Sequence, residues 1–196
     1  MFTPARSTTR TVGASIVLLL ALGSFAGCSS SKKSSTSTTT TVPTAASELK
    51  AGVKAQVAGD TKTATAKFLA VINLDPSNKL AHYDLGLIQQ NAGDTKASEA
   101  NYRVAIATDA SYAPALYNLA ILRSKAGSKA EAIRLYTRST IADPKSAPAF
   151  LNLGLLLNAT KATAAGDAAL GTAIKLDPSL ASRIPTTTTT PTTLAP

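Results

Sequence analysis

Few residues in this chain could carry chemistry. His82 is its one histidine and Cys28 its one cysteine, so neither a zinc site of the His/Cys kind nor a Cys-His pair with a choice of third partner can be assembled. His82 is followed by Tyr83 and Asp84 with no nucleophile beside it, a setting that suits a packing contact better than a general base. Asp75, Asp109, Asp143 and Asp177 recur at a constant spacing of 34 residues, which marks equivalent turns and helix ends rather than a carboxylate pair. No Gly-rich phosphate loop and no Ser-centred elbow is present. The sequence therefore predicts no enzyme, no cofactor and no metal, and a protein that works by binding.

The composition agrees with a binding protein of modest size. Of 196 residues, 44% are hydrophobic but only 5% aromatic, with no Trp, which disfavours a large aromatic substrate pocket. The net charge of +9 raises the question of nucleic acid, and the distribution answers it. No acid precedes Glu48, whereas between Glu48 and Asp177 fifteen basic residues face all eleven acids. Basic residues there are scattered singly, without the clustered stripe or interleaved aromatics that follow a phosphate backbone, so no specific nucleic-acid binding is expected.

The N-terminus has the pattern of an export signal. Arg6 and Arg10 precede the apolar run VGASIVLLLALGSFA, from Val12 to Ala26, which is short for a membrane span. The run ends in Phe25, Ala26, Gly27 and Cys28, and this FAGC resembles the lipobox of bacterial lipoproteins, with Phe25 where Leu is usual. The resemblance implies a signal peptide over 1–27, cleavage before Cys28, and acylation of that cysteine, palmitate being the class of chain. A buried or idle Cys28 behind an ordinary signal peptide, with a secreted product, or behind an uncleaved anchor, is the alternative.

Residues 28–47 are rich in Ser and Thr without apolar period, and such a segment cannot bury enough surface to order itself. It reads as a tether, reaching about 60 Å fully extended and about 25 Å on average. Lys32 and Lys33 could add attraction to an anionic leaflet or simply be solvated. A Thr- and Pro-rich tail over 181–196, with breaks at Pro185 and Pro191, is likewise expected to be disordered.

Between these ends lies an internal repeat. Gly59, Gly93 and Gly127 are 34 residues apart, as are Gly52, Gly86, Ala120 and Gly154, and Phe68, Tyr102, Tyr136 and Leu170. Each unit carries two apolar segments of helical period divided by a turn. In the third unit Leu116, Leu119, Ala120 and Leu122 form one such segment, ended by Gly127, and Ala132, Ile133, Leu135, Tyr136 and Ile141 the other, ended before Pro144. This pattern resembles the tetratricopeptide repeat, a helix-turn-helix unit of 34 residues, over 45–180 in four units: 45–78, 79–112, 113–146 and 147–180. The expected fold is all-α, an eight-helix solenoid in which small eighth-position residues admit the bulky residue at position twenty-four, and neighbouring units share one core. Glu48 in place of an apolar fourth residue weakens the first unit, and Lys161 in place of the turn Gly departs from the pattern at the last turn.

The resemblance also implies a concave groove lined by positions two, five, six, nine, twelve and thirteen of each first helix. In this chain the candidates are Leu49, Lys50 and Val53; Tyr83, Leu87 and Gln90; Tyr117, Asn118, Ile121 and Lys125; and Leu151, Asn152, Leu155 and Asn158. Apolar residues beside side-chain amides suit an extended peptide, the amides taking its backbone polar groups. Leu87, Ile121 and Leu155 could equally pack between units. Lys125 and Asn118 alone do not form the Lys-rich carboxylate clamp of chaperone-binding relatives. Two functional classes follow. One is an exported, lipid-anchored adaptor on the outer face of the cell membrane that binds proteins or peptides in envelope assembly or secretion. The other is a structural spacer whose repeats self-associate.

Overall fold

The computed structural model describes residues 42–185. The signal peptide over 1–27, the lipidation site Cys28, most of the tether and the Thr-rich tail from 186 lie outside the described residues. Eight helices follow in strict alternation: α1 (Ala45–Val57), α2 (Thr61–Leu74), α3 (Lys79–Asn91), α4 (Thr95–Thr108), α5 (Ala113–Lys125), α6 (Lys129–Ala142), α7 (Ala147–Ala159) and α8 (Thr163–Leu176). First helices have 13 residues and second helices 14, and no strand occurs among the described residues.

Local chemistry sets the ends of these helices. Gly59, Gly93 and Gly127 take φ of 77°, 82° and 78°, the left-handed conformation that closes a helix and turns the chain into its partner at little steric cost for glycine. Lys161 adopts φ 68° at the fourth such turn, so the backbone keeps the geometry although the residue there is not glycine. The side chains of Thr44, Asp60, Asn78 and Asp94 accept hydrogen bonds from backbone N–H groups of the helices they open, whereas Tyr112, Ser128, Ser146 and Ala162 make none. The recurring acids close the second helices: Asp75, Asp109 and Asp177 each accept from the backbone N–H and hydroxyl of the serine two residues on, and Asp143 accepts from the Lys145 N–H.

Packing within a helix pair depends on the small eighth residue. A methyl group on Gly52 would meet Phe68 at 2.7 Å, one on Gly86 would meet Tyr102 at 2.7 Å, and one on Gly154 would meet Leu170 at 2.7 Å. The rings thus occupy the space that glycine vacates, and Phe68 and Tyr102 are fully buried. In the last pair, Asn158 fills the space beside Gly166, leaving no room for the alanine found at Ala64 and Ala132. Helices α4, α5 and α6 are also joined by charge. Arg123 bonds Glu99 at 3.0 Å and Glu131 at 2.8 Å, while Arg103 bonds Glu99 at 2.7 Å and Glu131 at 3.3 Å.

The ordered array runs past the boundary expected at 180. A 3-10 turn over Pro178–Arg183 brings Leu180 and Ile184 onto Ala147, Leu151, Leu170 and Ala173. It stands where a fifth unit would begin and covers apolar surface that the last pair would otherwise present to water.

Candidate partner-binding groove

The first helices are tied to one another by a repeated hydrogen bond. The Asn118 Nδ2 donates to the Tyr83 hydroxyl at 3.2 Å, and the Asn152 Nδ2 donates to the Tyr117 hydroxyl at 3.1 Å. Both pairs span 35 residues, from position five of one unit to position six of the next. The tyrosines are half-buried, and Tyr83 meets Tyr112 edge-on at 5.4 Å between ring centres and Tyr102 at 5.9 Å. Tyr117 lies 5.9 Å from Tyr136. Burial pushes the Tyr102, Tyr112 and Tyr136 phenols up to about 12 and raises Tyr83 and Tyr117 as well, so these rings are neutral donors and acceptors at any physiological pH.

Hollows open beside this ladder. One of 390 Å³ is bordered by Tyr83, Leu87, Pro114, Tyr117 and Asn118. A second of 400 Å³ is bordered by Ile121, Ser124, Lys125, Asn152 and Leu155. A third of 320 Å³ brings Leu155 and Asn158 against Ile184 and Pro185. Leu87 and Ile121 both line a hollow and pack on the central core, and Leu155 does the same against the C-terminal cluster, so lining and packing are not alternatives here. Gln90 turns inward, its carbonyl oxygen accepting from the Tyr102 hydroxyl at 3.0 Å. Asn158 donates to Asp167 at 2.8 Å. In the first unit Leu49 packs on the core, while Lys50 and Val53 are exposed.

Leu151 does not belong to the groove. It is 1% exposed, with Leu180 of the 3-10 turn packed in its cluster, much as Tyr112 stands against Tyr83 in the second unit. Two residues outside the candidate set stand next to it. Asp84 sits at position six, in register with Asn118 and Asn152, a signal already present in the spacing. Tyr112, at the entrance of α5, completes the ring cluster around Tyr83 and carries the Lys79 ammonium 5.3 Å from its centre. Burial lifts the Asp84 carboxyl to about 6. His82 is buried between α3 and α4, its Nδ1 at 2.7 Å from the Asn101 side-chain oxygen and its Nε2 at 2.9 Å from the Pro76 carbonyl. It is a packing residue, as its sequence setting indicated.

No protein-family profile matches the chain, and no curated protein is similar to it in sequence. Solved structures are similar in fold. MamA is 22% identical, with a TM-score of 0.62 over 70% of this chain and 81% of that one. PilF of Pseudomonas aeruginosa is 23% identical, with a TM-score of 0.60 over 68% and 61%. A tetratricopeptide repeat protein from Parabacteroides merdae is 19% identical, with a TM-score of 0.60 over 68% and 54%. The fold is that of a tetratricopeptide-type repeat. Its helix pairs, turn glycines and small-against-large contacts are those the sequence resemblance implied, and at these identities the likeness speaks for the fold alone.

Proposed function

We propose that this chain is an exported lipoprotein, anchored through Cys28 to the extracytoplasmic face of the cell membrane, whose repeat array binds a peptide segment of another protein and so acts as an adaptor in envelope assembly or secretion. The observation that carries the binding reading is the pair of hollows flanking the Tyr117–Asn152 hydrogen bond. They combine apolar walls with side-chain amides and hydroxyls spaced along an extended path, which suits a peptide backbone bearing alternate apolar side chains. The anchor reading rests on the FAGC sequence ending at the chain's sole cysteine, after an apolar run preceded only by positive charge.

A photo-crosslinking residue at Lys125, which borders the second hollow, is compared with one at Arg134, which borders a separate hollow with Arg103 and Arg138. A discrete adduct with another protein from Lys125 and none from Arg134 supports the adaptor. Adducts only between copies of the chain would replace it with the self-associating spacer. For the anchor, Cys28→Ser should abolish acylation and release the chain from membranes, since acyl chains contribute about 0.8 kcal/mol per buried methylene. A mature N-terminus and membrane fraction unchanged by the substitution would sink that half of the proposal.

A further inference from the structure

All eleven acids of the chain lie between Glu48 and Asp177, and ten of them are engaged. Glu48, Glu99, Asp109 and Glu131 are in ion pairs. Asp60 and Asp94 cap helices, Asp75, Asp143 and Asp177 close turns, and Asp167 accepts from Asn158. Asp84 is the exception: among the described residues its carboxylate has neither an ion pair nor a hydrogen bond, although it is half-buried.

The repeat register explains why it is bare. Asn118 and Asn152, in the same place on α5 and α7, each donate to the tyrosine hydroxyl 35 residues earlier. The residue 35 before Asp84 is Leu49, which offers no polar group. An acid also has no N–H with which to imitate the asparagines. Lys50 holds the corresponding place on α1 but is exposed and forms no ion pair with it, and Lys79 is committed to Asp109 at 2.6 Å. Asp84 directly follows Tyr83, whose ring clusters with those of Tyr102 and Tyr112, and its charge opposes the ionisation of all three phenols. Tyr112 already receives one cation, that of Lys79. A half-buried, unpaired carboxylate next to a tyrosine cluster is complementary to a planar cation, which can take the acid through two N–H groups and stack on a ring.

We propose that the groove takes a peptide carrying arginine, whose guanidinium pairs with Asp84 against the Tyr83–Tyr112 rings. This rests on the peptide-binding reading above and names the side chain that the second unit selects. An unpaired half-buried charge lowers stability in the free protein, and the incoming guanidinium removes that penalty only when the partner is bound.

The full chain is panned against a randomised decapeptide library, and a selected sequence is then made with arginine or with the neutral isostere citrulline at the preferred position. Arginine should be enriched at one position, the citrulline peptide should bind about tenfold or more weakly, and Asp84→Asn should bring the arginine peptide to the citrulline level while leaving the latter unchanged. Asp84→Lys should reverse the preference toward an acidic residue, with circular dichroism of both variants matching the parent. Selected peptides without a basic preference, or an arginine peptide indifferent to Asp84→Asn, would overturn this assignment and leave the groove reading standing. Selection of no peptide at all would overturn both. Tighter peptide binding after Lys32→Ala with Lys33→Ala would show the chain's own lysines at Asp84, and a dimer abolished by Asp84→Asn would show a second copy there. Either replaces the separate partner.

Discussion

Asp84 has a consequence in the free protein as well as at the proposed contact. Its folded pKa of about 6 lies above the ordinary 3.8, so the associated stability is fully present below pH ~4 and is lost as pH rises through ~6. Asp84→Asn removes the ionisation, and because the carboxyl is only half-buried, solvent screening holds the gain to about 1 kcal/mol at pH 7.5. Urea midpoints of parent and variant should coincide near pH 4 and separate above pH 6, the variant being the more stable; an equal gap at both ends would point to packing instead. Asp109 acts oppositely. The Lys79 ammonium and the Ser111 groups hold it down to about 2, so its contribution is present above pH ~4 and is lost only as pH falls toward 2. The periodic acids were legible in the sequence as turn markers, since Asp75, Asp109 and Asp143 each stand the same distance ahead of a first helix. The isolation of Asp84 was not, because it depends on the side chains that the stacked units bring to it, and the partner position used by Asn118 and Asn152 holds the apolar Leu49 in its case.

At the level of the element, the two halves of the array are finished differently. Helices α1 to α4 have side-chain caps, while α5 to α8 have none. Pro114 and Pro148 at the first turns of α5 and α7 compensate by fixing φ and removing an N–H that would otherwise lack a partner, but α8 follows Ala162 with neither device. Ala162 occupies the place of Asp60 and Asp94, each of which accepts from a backbone N–H of the helix it opens, at 3.0 and 3.1 Å. Ala162→Asp should therefore stabilise the protein by about 1 kcal/mol, and Asp94→Ala should destabilise α4 by a similar amount. In the same turn Lys161→Gly should add about 0.5–1 kcal/mol, because a lysine held at positive φ is strained where glycine is not. Slower amide exchange in α8 of the first and third variants is the expected readout, and faster exchange would mean that the strained turn is held by contacts of the lysine itself. The sequence showed this turn as the departure from pattern. It could not show that the backbone would keep the left-handed geometry, with Lys161 at φ 68°. Helix periodicity likewise placed Ile141 among the apolar positions of α6, yet it is 73% exposed, since the second helices bury one flank and α6 turns that residue outward.

Across the whole molecule, stability is distributed by neighbours. A unit in the middle is covered on both sides, and α4, α5 and α6 are further joined by the Glu99, Arg103, Arg123 and Glu131 network. The last unit has one neighbouring unit and, on its other side, a 3-10 turn of six residues. Leu180 of that turn is 6% exposed and lies on Leu151, Leu170 and Ala173, so Leu180→Ala opens the end of the array rather than its centre. The change should cost about 2 kcal/mol, the lower part of the range for a buried leucine, because water can reach a cavity at a chain end and the turn can relax into it. Tyr136→Ala removes a ring packed at 3% exposure between α5 and α6, with units on both sides, and should cost about 3–5 kcal/mol. The spatial pattern separates the two more sharply than the magnitude does. In a solenoid governed by nearest-neighbour terms, Leu180→Ala should speed amide exchange in α7 and α8 while α3 to α6 keep their protection, and Tyr136→Ala should lower protection throughout the array. Equal loss of protection in every helix after Leu180→Ala would show that the units unfold as one cooperative block and that the 3-10 turn is integral to it rather than a lid on its last pair.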